Sequence, residues 1–306
     1  MPNLTRLAAT AQLRLLRALL RRLSPGDRAY MARMASQDRF DPATAAFVDL
    51  CEKSVLGWKN KQYAVELNGE EALLARLKPF APKVLLDVGA NVGEWALAAH
   101  RQVPEAQVHC FEIAPPTAAR LARAMAEAGA NAVVNDFGLG AEEGSVTLYF
   151  TPDYTLGAST VRGAMEITAR EQGIADIQEV AARITTGDAY LERNNIDHVD
   201  FLKIDVEGAE PQVLAGFSAS LARGAIDLVQ FEYGPLNLSS RWLLADAYEF
   251  FRAHGYWLGK LYPEGIAFKS YDHADEDFIG PNYVACRELR VDLISALHCP
   301  VPRLPA

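Results

Sequence analysis

"LLDVGANVGEWALAAH", residues 85–100, joins an apolar run to a Gly-rich turn and then to an amphipathic stretch. Val84, Leu85 and Leu86 read as the end of a buried strand, and Gly89-Ala90-Asn91-Val92-Gly93 as a tight turn. Beyond it Trp95, Ala98 and Ala99 recur at helical spacing. Strand, turn and helix in that order bring backbone N–H groups and a bare Cα surface to the carboxyl edge of a sheet, where a nucleotide can come close. A dinucleotide fingerprint would want glycine where Asn91 and Glu94 stand. Glu94 would crowd a pyrophosphate with like charge. Asn91 and Glu94 read instead as a capping box that opens the helix.

Outward from this stretch, strands and helices alternate. Residues 94–102 read as a helix, "AQVHCFEI" as a strand, 117–128 as a helix and "NAVVND" as a third strand. "DFLKIDVEG" is a fourth, a helix from about Pro211 to Arg223 follows, and "DLVQFEY" is a fifth. A helix over 241–254 and strands near "YWLGKLYP" and "NYVACR" complete the series. The alternation predicts an α/β fold with a doubly wound, mostly parallel sheet. Residues 138–186 break the rhythm as a β insertion: "GSVTLYFT" and "EVAARITT" read as strands and "TLGAST" as a turn.

Each of the five strands ends in an acid: Asp87, Glu112, Asp136, Asp205 and Glu232. In open α/β sheets the ligand crevice lies outside those ends. Glu112 stands 23 residues beyond Gly89, near the offset at which an acid takes a ribose diol. Asp136 could accept an adenine amine, with Phe137 against the base or simply in the core. A ribose, an adenine and a cationic amino-acid tail suit these acids better than a diphosphate does, and S-adenosylmethionine has those parts. For an alcohol acceptor a base is needed, and Asp205 at the end of "FLKID" is the first candidate. Lys203 shares its strand face, and Glu207 and Glu232 are alternatives. Glu210 reads as favourable charge at a helix N-terminus. No metal is demanded by the pattern.

"DVGANVGEWAL", "HCFEI", "GAST" and "DFLKIDVEGAEPQVL" together resemble the FkbM-type family of S-adenosylmethionine-dependent methyltransferases, over roughly residues 69–286. The resemblance implies a class I methyltransferase sheet whose last strand is antiparallel and inserted near the edge. It implies that Asp87, Gly89, Asn91 and Gly93 form the first cofactor motif and that Glu112 binds the ribose. It also implies O-methylation of a hydroxyl on a sugar, glycan or secondary metabolite. Asp136 and Ser159-Thr160 depart from the Asn and the Ser-Ser pair that family members commonly carry there. A nicotinamide oxidoreductase and a non-catalytic binding protein on the same fold are the rivals.

The chain has 306 residues, half of them hydrophobic, with a net charge of −9 that argues against a nucleic-acid partner. Four scattered cysteines lack metal or disulfide spacing, as expected of a cytoplasmic protein. Residues 1–23 carry five arginines and no acid, which leaves −14 for the rest. That segment reads as a helix packed on protein, within a homo-oligomer or not; membrane-surface contact is the less favoured alternative. The expected organisation is a helical extension over 1–68, a methyltransferase domain over 69–290 and a loose tail over 291–306.

Overall fold

The computed structural model describes residues 14, 18–19, 21–151, 154–174 and 176–302, the side chains of 154–157 excepted. Most of the basic segment 1–23 and the end of the tail lie outside the described residues. The chain divides into two compact units, Met1–Trp58 and Lys59–Ala306. The first holds helices Pro25–Gln37 and Pro42–Trp58, the former opened by a reciprocal Ser24–Asp27 capping box. Neither helix buries a residue. No helix among the described residues is long and apolar enough to cross a membrane.

In the second unit the strands run, in chain order, β1 Val84–Val88, β2 Gln107–Phe111, β3 Ala132–Asn135, β4 Gly138–Leu139, β5 Gly144–Thr151 and β6 Tyr154–Ser159. They continue as β7 Gln178–Thr185, β8 Val199–Ile204, β9 Ile226–Glu232, β10 Tyr256–Tyr262, β11 Gly265–Phe268 and β12 Asn282–Arg287. The main sheet has the order β11-β10-β12-β9-β8-β1-β2-β3. β3, β2, β1, β8 and β9 are parallel, and β12 enters antiparallel between β9 and β10. This is the class I methyltransferase arrangement that the sequence predicted, extended at its edge by β11. Period-two alternation gives each face its own core. Leu85, Val108, Phe201 and Leu228 pack with Trp95 on one side; Leu86, Leu202, Val229 and Phe231 pack with Phe251 on the other.

Four local expectations are corrected. "TLGAST" is no turn: it supplies β6, the edge of a second sheet ordered β4-β7-β5-β6. The helix expected over 211–223 is two, Glu210–Ala215 and Ser218–Ala222. A Cβ at Gly216 would stand 2.1 Å from the Gly140 carbonyl oxygen, and the Asp188 carboxylate accepts the N–H groups of Ala219 and Ser220 at the start of the second helix. The close approach and the new cap stop one helix and begin another. Residues 291–297, expected within a loose tail, form a helix whose Leu293 and Leu297 are buried in the core. Residues 59–68, grouped by sequence with the extension, are tied to the second unit: the Asn60 amide donates to the carbonyls of Asn68 (2.7 Å) and Leu261 (3.0 Å).

Candidate active site

Gly89 closes β1 at φ +84°, and a Cβ there would fall 1.8 Å from the Asp205 carbonyl oxygen. Only glycine lets the first turn and the end of β8 come this close. Asn91 donates its N–H to Glu112 Oε2 (2.9 Å), and Ala114 donates to Oε1 (2.8 Å). The Glu112 carboxylate is thereby aimed, and each oxygen keeps a lone pair for a hydroxyl. Burial raises its pKa, while the two N–H donors oppose the rise.

The expected capping box is absent. Gly93, at φ +94°, is the N-cap residue of helix Glu94–Gln102 and no side chain caps it. A Cβ on Gly93 would stand 2.7 Å from Met125 and 2.8 Å from Leu121, so this glycine serves packing against helix Pro115–Ala128 and lines neither cavity.

Asp87 and Lys203 are register partners on adjacent strands, and Lys203 and Gln230 are the next pair across. Asp87 is fully buried, and neither carboxylate oxygen accepts a hydrogen bond. Lys203 Nζ lies 3.6 Å from it, an ion-pair distance, and donates to Asp205 Oδ2 at 2.9 Å. Burial pushes the Asp87 pKa up to about 6 against the pull of Lys203. Burial works against the ammonium form of Lys203 too, but Asp205, Asp87 and Glu70 more than offset it and keep the lysine charged. Asp87 therefore sits behind the cavity wall, holding Lys203, which in turn holds Asp205.

Glu207 stands at φ +55°, a conformation uncommon for a non-glycine residue. Ser159 Oγ donates to its carbonyl oxygen (2.7 Å), and Glu210 Oε1 accepts the N–H of Gly208 (3.1 Å), so the turn is pinned from both sides. Burial, with the charges of Asp205 and Glu210, raises the Glu207 pKa to about 8. The same causes, burial first and then Asp205 and Glu207, raise that of Glu232 well above the usual carboxylate range. Glu210 is pushed to about 7 by burial.

Two adjoining cavities occupy this edge. The smaller, about 110 Å³, is lined by Gly89, Asn91, Phe111, Glu112, Ile113, Leu139, Leu148, Ala158 and Thr160, with Asp205 and Glu207. The larger, about 460 Å³, shares Gly89, Asn91, Asp205 and Glu207 and adds Lys61, Tyr63, Glu70, Trp95, Glu171, Lys203, Glu210, Glu232 and Asn237 among others. The sequence-expected residues Gly89, Asn91, Glu112, Lys203, Asp205, Glu207 and Glu232 thus meet in one place. Asp136 and Phe137 do not join them. Asn135 ends β3 with its amide donating to the Cys110 carbonyl and the Tyr190 hydroxyl, so the next side chain turns outward: Asp136 is 75% exposed and pairs with Arg183 at 3.6 Å. Phe137 packs edge-on against Phe111 under Arg183. The apolar wall comes instead from Leu139, Leu148 and Ala158 of the second sheet, which sequence reasoning missed although "GAST" marks its end.

With this geometry the comparison with known proteins is direct: the methyltransferase FkbM domain matches residues 87–258. The chain belongs to the FkbM methyltransferase family. Its relatives include methyltransferase 1 of Beauveria bassiana (strain ARSEF 2860), 30% identical over 166 residues that make up 50% of this chain and 67% of that protein. The 31-O-demethyl-FK506 methyltransferase FkbM of Streptomyces tacrolimicus is 34% identical over 154 residues, 44% of this chain and 58% of that one. Among solved structures, methyltransferase FkbM from Methylobacillus flagellatus KT aligns with a TM-score of 0.43 and 13% identity, over 67% of this chain and 44% of that one. The cofactor of this FkbM-family methyltransferase is S-adenosylmethionine. The residues present suit it: Glu112 for ribose hydroxyls, an apolar wall for the base, and Asp205 and Glu207, shared by the two cavities, as negative charge near a sulfonium.

Proposed function

We propose that the chain transfers the methyl group of S-adenosylmethionine to a hydroxyl of a small-molecule or glycan acceptor. The observation that carries this reading is Glu207, which lines both cavities and has a carboxyl pKa raised to about 8. A base poised near neutrality at the junction of a donor pocket and an acceptor pocket is what transfer to an alcohol requires.

Glu112 holds the ribose, and Ile113, Leu139, Leu148 and Ala158 receive the adenine. The bound cofactor supplies an electrophilic methyl group on a sulfonium. Glu207 takes the acceptor's hydroxyl proton on a carboxylate oxygen. Asp205, the first candidate from sequence, is engaged by Lys203 at 2.9 Å and orients rather than deprotonates. Gly89 keeps the wall thin where donor and acceptor meet, and holding the two in line accounts for the larger part of the acceleration. Because the base works deprotonated, turnover rises with pH through about 8.

The test is release of S-adenosylhomocysteine across a panel of hydroxyl-bearing glycans and small molecules, with calorimetric titration of the same product in parallel. Binding without release by any hydroxyl acceptor would leave a binding protein and overturn the reading. Tight NADH binding in place of S-adenosylhomocysteine would favour an oxidoreductase.

A further inference from the structure

Glu232 ends β9 facing the larger cavity, and among the described residues no hydrogen bond or ion pair reaches its carboxylate. The cavity's two lysines do not answer it. Lys203 is taken by Asp205 and Asp87, and Lys61 stands on the exposed rim. Five residues on, Asn237 is 2% exposed and lines the same cavity. Its Oδ1 accepts the Gly234 N–H (2.8 Å), which fixes the amide's orientation and leaves Nδ2 buried without a partner. Glu210 Oε2 is likewise buried and unpartnered on the cavity wall. The cavity therefore keeps uncompensated acceptors of negative charge together with two uncompensated donors, Asn237 Nδ2 and Trp95 Nε1, arrangements that are costly unless a ligand completes them.

From these groups on one cavity we infer that the acceptor is an amino alcohol of the amino-sugar type, whose protonated amine is held by Glu232 while Asn237 Nδ2 donates to an oxygen of the same sugar. The inference rests on the methyl-transfer reading and names the acceptor's chemical class. An ammonium next to a carboxylate supplies the missing counter-charge, and an oxygen of the same molecule supplies the acceptor that the Asn237 amide lacks in the same cavity. A uronic acid or a phosphorylated sugar would set its own anion among Glu207, Glu210 and Glu232. The raised carboxyl pKa of Glu232, caused by burial and by Asp205 and Glu207 against the pull of Lys203, fits a site awaiting a cation. An ammonium there lowers that pKa, opposing the burial that raises it.

The experiment is an NMR titration of the full-length protein, saturated with S-adenosylhomocysteine at pH 7, using glucosamine, N-acetylglucosamine and glucuronate as probes. Glucosamine should bind at least tenfold more tightly than the other two. Glu232→Gln should remove that preference while changing S-adenosylhomocysteine affinity less than about twofold. Asn237→Leu, which is close in size and removes the free donor without adding a charge, should weaken glucosamine at least threefold. Equal or tighter binding of N-acetylglucosamine or glucuronate, or binding of none of the three, overturns the inference. So does a tenfold loss of S-adenosylhomocysteine affinity in Glu232→Gln, which would assign the carboxylate to the cofactor's own ammonium. Failure of S-adenosylhomocysteine to bind the unmodified protein would break the methyl-transfer reading itself, whereas binding with no preference for the amine breaks only this inference.

Discussion

At the amino ends of β8 and β9, His198 Nε2 lies 3.1 Å from the buried Asp227 carboxylate, and Arg290 pairs with that same carboxylate. Asp200 alongside accepts the N–H groups of Lys83 (2.7 Å) and Val84 (2.9 Å). At the carboxyl ends of the same two strands, Lys203 serves Asp205 and Asp87, and among the described residues no ion pair reaches Glu207 or Glu232. One end is electrically closed and the other is open. Desolvating a charge costs several kcal/mol unless a partner compensates. A fold that pairs its acids at one edge and leaves them unpaired at the other keeps the second edge for a ligand bearing the missing charge.

The largest effect should come from the buried cation of the open end, Lys203. Lys203→Met leaves Asp87 buried beside no counter-charge, at a cost of about 3–5 kcal/mol of stability in urea unfolding. A cost below ~1 kcal/mol would mean that Asp87 is already neutral there and would blur the contrast between the two ends. Next is chemistry. Glu207→Gln should lower single-turnover methyl transfer by roughly 10²–10⁴-fold and leave S-adenosylhomocysteine affinity little changed. Near-normal turnover would return the role of base to Asp205.

The open end should also give stability a pH slope of definite sign. Asp87, Glu207 and Glu210 have folded-state pKa values of about 6, 8 and 7, all above their ordinary values. The folded protein thus retains protons that the unfolded chain has released. Stability contributed by these groups is greatest below about pH 4 and is lost as pH rises to about 8, on the order of a few kcal/mol for each group. Urea unfolding at pH 5, 7 and 9 measures the slope, and Glu207→Gln should flatten it.

At the closed end Arg290→Met should cost less than the lysine substitution, about 1–2 kcal/mol, because the arginine is partly exposed and His198 remains beside Asp227. Equal costs for the two variants would show that exposure does not separate the two ends. The smallest effect belongs to Asp136→Ala. Its pair with Arg183 is exposed, so stability should change by less than about 1 kcal/mol. S-adenosylhomocysteine affinity should not change. A tenfold loss by calorimetry would restore Asp136 to the adenine site.

Much of the fold was legible because its signals are local. The helix boundaries at 94–102, the five parallel strands and the antiparallel insertion follow from apolar periodicity, turn glycines and resemblance. The site was legible where a backbone turn fixes the side chain, as at Gly89, Asn91 and Glu112. It was misread where the outcome hangs on a single residue of register. Asp87 and Asp136 both end strands by sequence. One lies one residue inside β1 and is fully buried; the other lies one residue past β3 and faces solvent beside Arg183. A shift of one residue along a strand reverses the direction of its side chain.

The sequence by itself determined the α/β order, the glycine that lets two turns touch and the row of acids at one sheet edge, since each depends on neighbours within a few residues. Only the tertiary structure decided which acids are paired. Lys203 reaches Asp87 from an adjacent strand more than a hundred residues away, and Ser159 pins Glu207 from a second sheet. Tyr63 and Asn237 close the same cavity from opposite parts of the chain. Charge compensation in a low-dielectric interior depends on distance in space, and these distances are set by packing that no local pattern records.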